Sequence, residues 1–240
     1  MINFLRKFRY RQVNAKYIKY ALGEIFLVVI GILIALQIND YREYLSEKKL
    51  EKNILKEIRQ NLIEDMRVHE SRLEWSRGIV KSSQIILEHL RQDLPYQDSL
   101  SNHFIELNLF IPAPFDVVST GYERINRAGS EIISNDSVRI AISNYYDLKN
   151  NFLETFTDDY LQKIGIEAKG LLLKNLDMYH SERRAIPKDY QALKRDTEFT
   201  STLDMMITVF NTNANLLEDY VQDNLKAQQL VQDEIKRLEK

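Results

Sequence analysis

Apolar residues fall along this chain in two regimes. Between Tyr20 and Asn39 they are nearly continuous, Y-A-L-G-E-I-F-L-V-V-I-G-I-L-I-A-L-Q-I-N, with an uncharged centre from Ile25 to Leu36 flanked by Glu24 and Gln37. From Ala21 to Ile38 a helix extends about 27 Å at ~1.5 Å per residue, close to the ~30 Å hydrocarbon core of a bilayer. A core helix of a soluble domain fits the same run, and the flanks decide between them. Arg6, Lys7, Arg9, Arg11, Lys16 and Lys19 precede it without an acid, and a dense charged pattern comes directly after it. The run reads as a membrane span. I-A-L-Q-I-N-D offers no small-x-small cleavage site, so an uncleaved signal anchor is expected rather than a removed signal peptide.

From Asp40 the pattern changes to amphipathic helix. Tyr41, Leu45, Ile54, Ile58, Leu62, Met66, Leu73, Val80 and Leu87 recur largely at spacings of four and seven. No Pro interrupts residues 40–94, and one helix is predicted to run from the span to about Arg91, ended by Asp93-Leu94-Pro95. A short helix is predicted over Ser99–Leu109. Phe110–Phe115 is expected to be extended, because Pro112 and Pro114 lack donors and restrict their neighbours. Ser119-Thr120 is read as the cap of a helix Gly121–Ala128, closed by Gly129 in the left-handed conformation.

Ser134 or Asn135 then opens a helix to about His180, with Val138, Ile142, Tyr145, Phe152, Phe156, Tyr160 and Ile164 on its apolar side. Ser181–Pro187 reads as a turn, with a polar connection beyond it to about Thr197. A last helix spans about Phe199–Leu238, its stripe including Leu203, Phe210, Leu217, Leu225 and Ile235. The fold class is all-α: residues 1–19 form a basic juxtamembrane segment, 20–39 a transmembrane helix, and 40–240 an antiparallel helical bundle.

Charge adds a direction. The six basic residues before the run leave 27 of the 33 Lys and Arg to face 35 acids, a net of −8 after residue 23. By the positive-inside rule the N-terminus is cytoplasmic and the bundle lies outside, which for a bacterial inner membrane is the periplasm. An acidic outer region argues against nucleic acid as a partner. The absence of cysteine removes disulfides and thiolate chemistry.

Catalytic patterns are missing. His69, His89, His103 and His180 form no H-x-x-x-H pair and read as surface or packing residues. Asp177-Met-Tyr-His180 has the acid-to-His spacing of a di-iron bundle but lacks the second copy such a site needs. There is no glycine-rich phosphate loop and no nucleophile elbow. Neither an enzyme nor a cofactor is expected.

The span carries one functional pattern. At 100° per residue Glu24, Val28, Gly31, Ala35 and Ile38 share one face, and Gly31 with Ala35 forms a small-xxx-small pair that lets helices approach closely in lipid. Glu24 belongs either to a partner contact or ion pathway, or to the interface, where it pairs with Lys16 or Lys19. A second candidate is the elbow bearing Phe115, Tyr122, Arg124 and Arg127, whose aromatics and guanidiniums suit a small ligand.

Residues 16–40, K-Y-I-K-Y-A-L-G-E-I-F-L-V-V-I-G-I-L-I-A-L-Q-I-N-D, resemble the opening signature of an uncharacterised family of Bacteroidota-type single-span membrane proteins. S-T-G-Y-E-R-I-N-R-A-G-S and D-S-V-R-I-A-I-S-N-Y-Y-D are similar to its second and third recurrent stretches. Its members more usually carry a Trp soon after the span, where this chain has Tyr41. The resemblance implies an anchor with a helical domain and implies no chemistry. The expected function is a scaffold or assembly component that meets the bilayer and, through its span, a second copy or another membrane protein. The alternatives are a small-ligand sensor subunit or an accessory subunit of an ion-driven complex using Glu24.

Overall fold

A computed structural model describes the backbone of residues 15–107 and 117–240, and the side chains there except at 15–18, 148–151, 154 and 157–159. The expected extended stretch Phe110–Phe115 lies outside the described residues, as does the basic segment 1–14. The chain divides into two compact units, Met1–Leu50 and Glu51–Lys240.

The first unit contains the start of helix α1, Ala15–Arg91. From Lys19 this helix is long and apolar enough to cross a membrane, with mean hydropathy 2.5 over its most apolar window and none of that window buried. Residues 40–50, expected with the bundle, group with the apolar run, and the Tyr41, Tyr44 and Leu45 side chains among them are exposed.

The second unit is all-α apart from one hairpin among the described residues. The part of α1 from Glu51 and the last helix α8, Thr197–Leu238, run antiparallel. Ile54, Ile58 and Leu62 share a core with Ala227, Val231 and Ile235, whereas Ile79, Ile86 and Leu90 share another with Leu203, Met206 and Phe210. Ion pairs Arg91–Asp204, Arg77–Glu218 and Lys56–Glu239 step in opposite directions along the two helices by equal amounts, marking their register. Being exposed, they contribute little stability. Asp196 starts α8, its side chain accepting the Phe199 N–H at 3.0 Å.

Short helices α2, Leu100–Leu107, and α3, Thr120–Ala128, lie close to their predicted places. The cap of α3 differs from the expected one. The Ser119 hydroxyl turns to Glu123 at 3.2 Å, and Asn61 of α1 instead accepts the Gly121 N–H at 2.9 Å. Gly129 does take a positive φ of 91°, but with ψ 139° it leaves the helix extended rather than in the left-handed helical turn. Gly121 is held by close approach: a Cβ there would meet the Ile58 backbone nitrogen at 2.9 Å.

The third long helix is wound unevenly. It begins as α4, Asp136–Ser143, capped by Asn135, which accepts the Ser137 N–H at 3.1 Å. It continues through a first π-helical segment, Asn144–Asn150, then α5, Asn151–Glu154, a second π-helical segment, Thr155–Leu161, and α6, Gln162–Asn175. An i→i+5 turn takes one more residue than an i→i+4 turn, so each π-helical segment shifts the phase of the helix beyond it. The predicted core positions Phe152 and Tyr160 are accordingly exposed, and the next residues, Leu153 and Leu161, are fully buried. Trp75 fills core space, edge-on to Phe210 at 5.3 Å.

The helix stops at Asn175, five residues before the predicted end. Leu176–Tyr179 (β1) pairs antiparallel with Arg184–Pro187 (β2), Leu176 opposite Pro187 and Met178 opposite Ala185. Leu176, Ala185 and Pro187 face inward, and Arg183 makes the turn at φ 50°. Lys188 stabilises the helix end by donating from Nζ to the Leu173 and Lys174 carbonyls at 2.9 and 3.2 Å. Helix α7, Tyr190–Arg195, occupies the expected polar connection. In α8 the predicted stripe also slips at one place: Leu225 is exposed and Asn224 is fully buried.

Two outcomes test this packing. Leu161→Ala should cost about 2–5 kcal/mol of stability and Tyr160→Ala less than about 0.5 kcal/mol, measured by denaturant unfolding in detergent; equal costs would contradict the shifted phase. Gly121→Ala should cost about 1–3 kcal/mol, because the opposing atom is backbone and cannot swing away; an unchanged midpoint in the same assay would show that α3 does not press on α1 there.

Candidate functional site

The face expected on the span is present as a face and meets no other element. Glu24, Val28, Gly31, Ala35 and Ile38 are all exposed on α1, and a Cβ built at Gly31 finds nothing within 4 Å. The elbow residues are placed differently from one another. Phe115 lies outside the described residues. Tyr122 is buried, stacks on Tyr146 with ring centroids 4.8 Å apart, and donates its hydroxyl proton to Asp147. Burial, reinforced by that carboxylate, pushes the Tyr122 hydroxyl up to about 12. Arg124 donates to Glu57 at 2.5 Å, and this guanidinium holds the Glu57 carboxyl below its usual range. Arg127 is exposed. The two later stretches that resemble the single-span family thus meet through Tyr122, Tyr146 and Asp147.

Behind this stack is a buried polar cluster that the periodicity did not single out. Asn61, Asp65 and His69 stand four residues apart on α1, on the side that also carries Ile58 and Leu62. A helix places such residues one above the other. Opposite them are Tyr145 and Tyr146 from the first π-helical segment and Asn224 from α8. All six are less than a tenth exposed, and Asp65 and His69 are each 1% exposed. The Tyr145 hydroxyl is the hub: it lies 3.0 Å from His69 Nε2 and 3.4 Å from Asp65 Oδ2, and accepts from Asn224 Nδ2 at 2.9 Å. Asn224 Nδ2 also donates to the Leu62 carbonyl at 3.0 Å, and its Oδ1 accepts from Gln228 at 2.7 Å.

The cluster also holds the connector into α3. Asp65 Oδ1 accepts the Val118 N–H at 2.8 Å, and the Tyr146 hydroxyl donates to the Val118 carbonyl at 3.3 Å. Burial raises Asp65 to about 7, against the pull of the Val118 and Tyr145 bonds. Burial, with Arg72, lowers His69 to about 4. The Tyr145 and Tyr146 hydroxyls are driven upward by the same desolvation. A dry site disfavours every charged form it contains, so the set is neutral at moderate pH.

A groove of 230 Å³ leads from the surface to this cluster. Asn144, Tyr145, Asp223, Lys226 and Leu230 are among its walls, between the first π-helical segment and α8. Among the described residues no group of three metal-ligating side chains occurs. Asp177, the acid of the incomplete di-iron pattern, is on β1 rather than on a helix. Comparison with protein-family models, characterised proteins and solved structures returned no match to this chain.

The opposed shifts predict a pH signature. Asp65, raised from 3.8 to about 7, holds a proton in the folded state that the unfolded chain releases, so its contribution to stability is lost as pH rises through that window. His69, lowered from 6.5 to about 4, refuses a proton that the unfolded chain takes up, so its contribution is lost as pH falls from 6.5 to about 4. The two slopes oppose each other where they overlap. Relative to wild type, Asp65→Asn should therefore lose stability on acidification from pH ~6.5 to ~4, and His69→Gln should gain it. Thermal unfolding across that range checks both signs, and three parallel profiles would remove the assignment.

Proposed function

We propose that this chain is a membrane-anchored, non-enzymatic interaction component, in which a single span carries a helical-bundle domain and contacts a second membrane helix. The observation behind this reading is the uncovered apolar run of the first unit, where large side chains from Leu22 to Ile38 are exposed without a neighbouring element. Lipid satisfies most of that surface. The side bearing Glu24, Gly31 and Ala35 suits a protein helix better, because small residues admit close backbone approach and an acid is costly against hydrocarbon.

The orientation that charge favours puts the N-terminus in the cytoplasm and the domain in the periplasm of a bacterial inner membrane. The resemblance of three stretches to a single-span family supports the same layout. A ligand site at the elbow has less support, since Tyr122 and Arg124 are already engaged with Asp147 and Glu57.

The chain contains no cysteine, so single introduced thiols report unambiguously. In native membranes Gly31→Cys or Ala35→Cys should give a crosslinked homo- or heteromeric product, and Leu33→Cys on the opposite side should not. No product at either small-residue position would end both the self-association and the partner reading.

A further inference from the structure

Asp65 faces no compensating charge. Its two oxygens meet the Val118 N–H and the Tyr145 hydroxyl, both neutral, and among the described residues no basic side chain pairs with it. Its surroundings are Glu64 and His69 on α1 with Arg72 beyond, Tyr145 and Tyr146 on the π-helical segment, and Asn224 and Tyr220 from α8. The charged neighbour that acts on it is Glu64, which has its own sign. At the mouth of the groove Lys226 is held by Asp223 at 3.3 Å. A carboxylate in such a place loses its hydration without an ion partner, and the protonated form is favoured.

The hydrogen-bond directions close for that protonated form. Asp65 Oδ2–H donates to the Tyr145 oxygen, Tyr145 O–H donates to His69 Nε2, and Asn224 Nδ2–H donates to the Tyr145 oxygen. When Asp65 releases its proton to solvent, Tyr145 must turn its own proton toward the carboxylate. His69 Nε2 must then become a donor, which requires the other tautomer. One proton thus redirects three bonds linking α1, the π-helical segment and α8. The new carboxylate also lacks water, and the 230 Å³ groove beside Tyr145 is the nearest route by which water can reach it. The π-helical backbone along that route is the less regular wall.

We propose that the seam between Asn144–Asn150 and α8 is a proton-operated latch, closed and dry while Asp65 carries a proton and opened to water through the groove when the proton leaves. The latch does not depend on what the span contacts. The position of Asp65 near 7 puts its transition around neutrality.

The test is hydrogen exchange of the full chain in lipid nanodiscs between pH about 6 and 8, corrected for the intrinsic rate, together with infrared spectra over the same range. In the wild type, protection at 117–119 and 144–150 should fall by up to about tenfold per pH unit above the transition, the limit for release of one proton. A protonated-carboxyl stretch should disappear in step with it. Asp65→Asn, neutral at every pH, should lose both responses, and His69→Gln should keep the carboxyl band. Flat protection in the wild type, or an equal response in Asp65→Asn, overturns the latch. Should Asp65→Asn fail to fold, the wild-type infrared spectrum decides: a carboxyl band that titrates together with protection supports the latch, and its absence sinks it.

Discussion

Helices that share a long core must keep their apolar sides in step, and in this domain the helix from Asp136 to Asn175 does so by winding wider twice. Between α4 and α6 the chain passes through Asn144–Asn150 and Thr155–Leu161, and each π-helical segment advances the buried side by a fraction of a turn. Leu153 can then join Leu217 and Tyr220, while Leu161 joins the core around Phe104 and Phe210. The same adjustment sets Tyr145 and Tyr146 side by side against α1. Their position makes the polar cluster, its groove and the stack on Tyr122 one connected arrangement.

Much of this layout was legible in the sequence, for reasons of length. The helices Ala15–Arg91 and Thr197–Leu238 repeat a helical pattern over many turns and are bounded by Asp, Asn and Pro, so their existence and approximate ends can be read from the residues. The features that escaped were local. Four alternating residues, Leu176–Tyr179, fit a helical stripe as well as a strand, and only pairing with Arg184–Pro187 separates the two. Nothing in N-Y-Y-D-L-K-N marks a π-helical turn, so Phe152 and Tyr160 looked internal.

The polar cluster had a visible signal that was outweighed. Asn61, Asp65 and His69 stand at spacings of four beside Ile58 and Leu62, where polar residues on an otherwise apolar side mark a buried network. In a chain so rich in charge such residues resemble an ordinary wet face. The neighbours Asn224 and Leu225 show the same ambiguity, since one residue of phase exchanges which of them is inside. The candidate face at Glu24, Gly31 and Ala35 could be drawn from spacing alone because it needs only one helix.

The two units reverse the usual economy of surfaces. The first leaves its apolar residues outside, whereas the second hides acids: Glu51, Asp65 and Glu234 are almost fully buried. Each of them binds the start of another element. Glu51 accepts both the N–H and the hydroxyl of Ser134, and Glu234 accepts from Asn135 and Arg237, so α1 and α8 jointly fix where α4 begins. Asp65 does the same for the connector into α3. Buried carboxyl groups here act as backbone and cap partners at helix entries.

The wide turns also bear on how this chain tolerates changes of length. A residue removed from Asn144–Asn150 or Thr155–Leu161 need not tear the helix, because the shortened segment can rewind as an ordinary α-helix. The loss would instead rotate everything downstream of it, returning a phase in which Phe152 or Tyr160 points inward and Leu153 or Leu161 outward. Single-residue gaps in this stretch would therefore preserve helicity while exchanging an aliphatic core for an aromatic one, two alternative interiors separated by one codon.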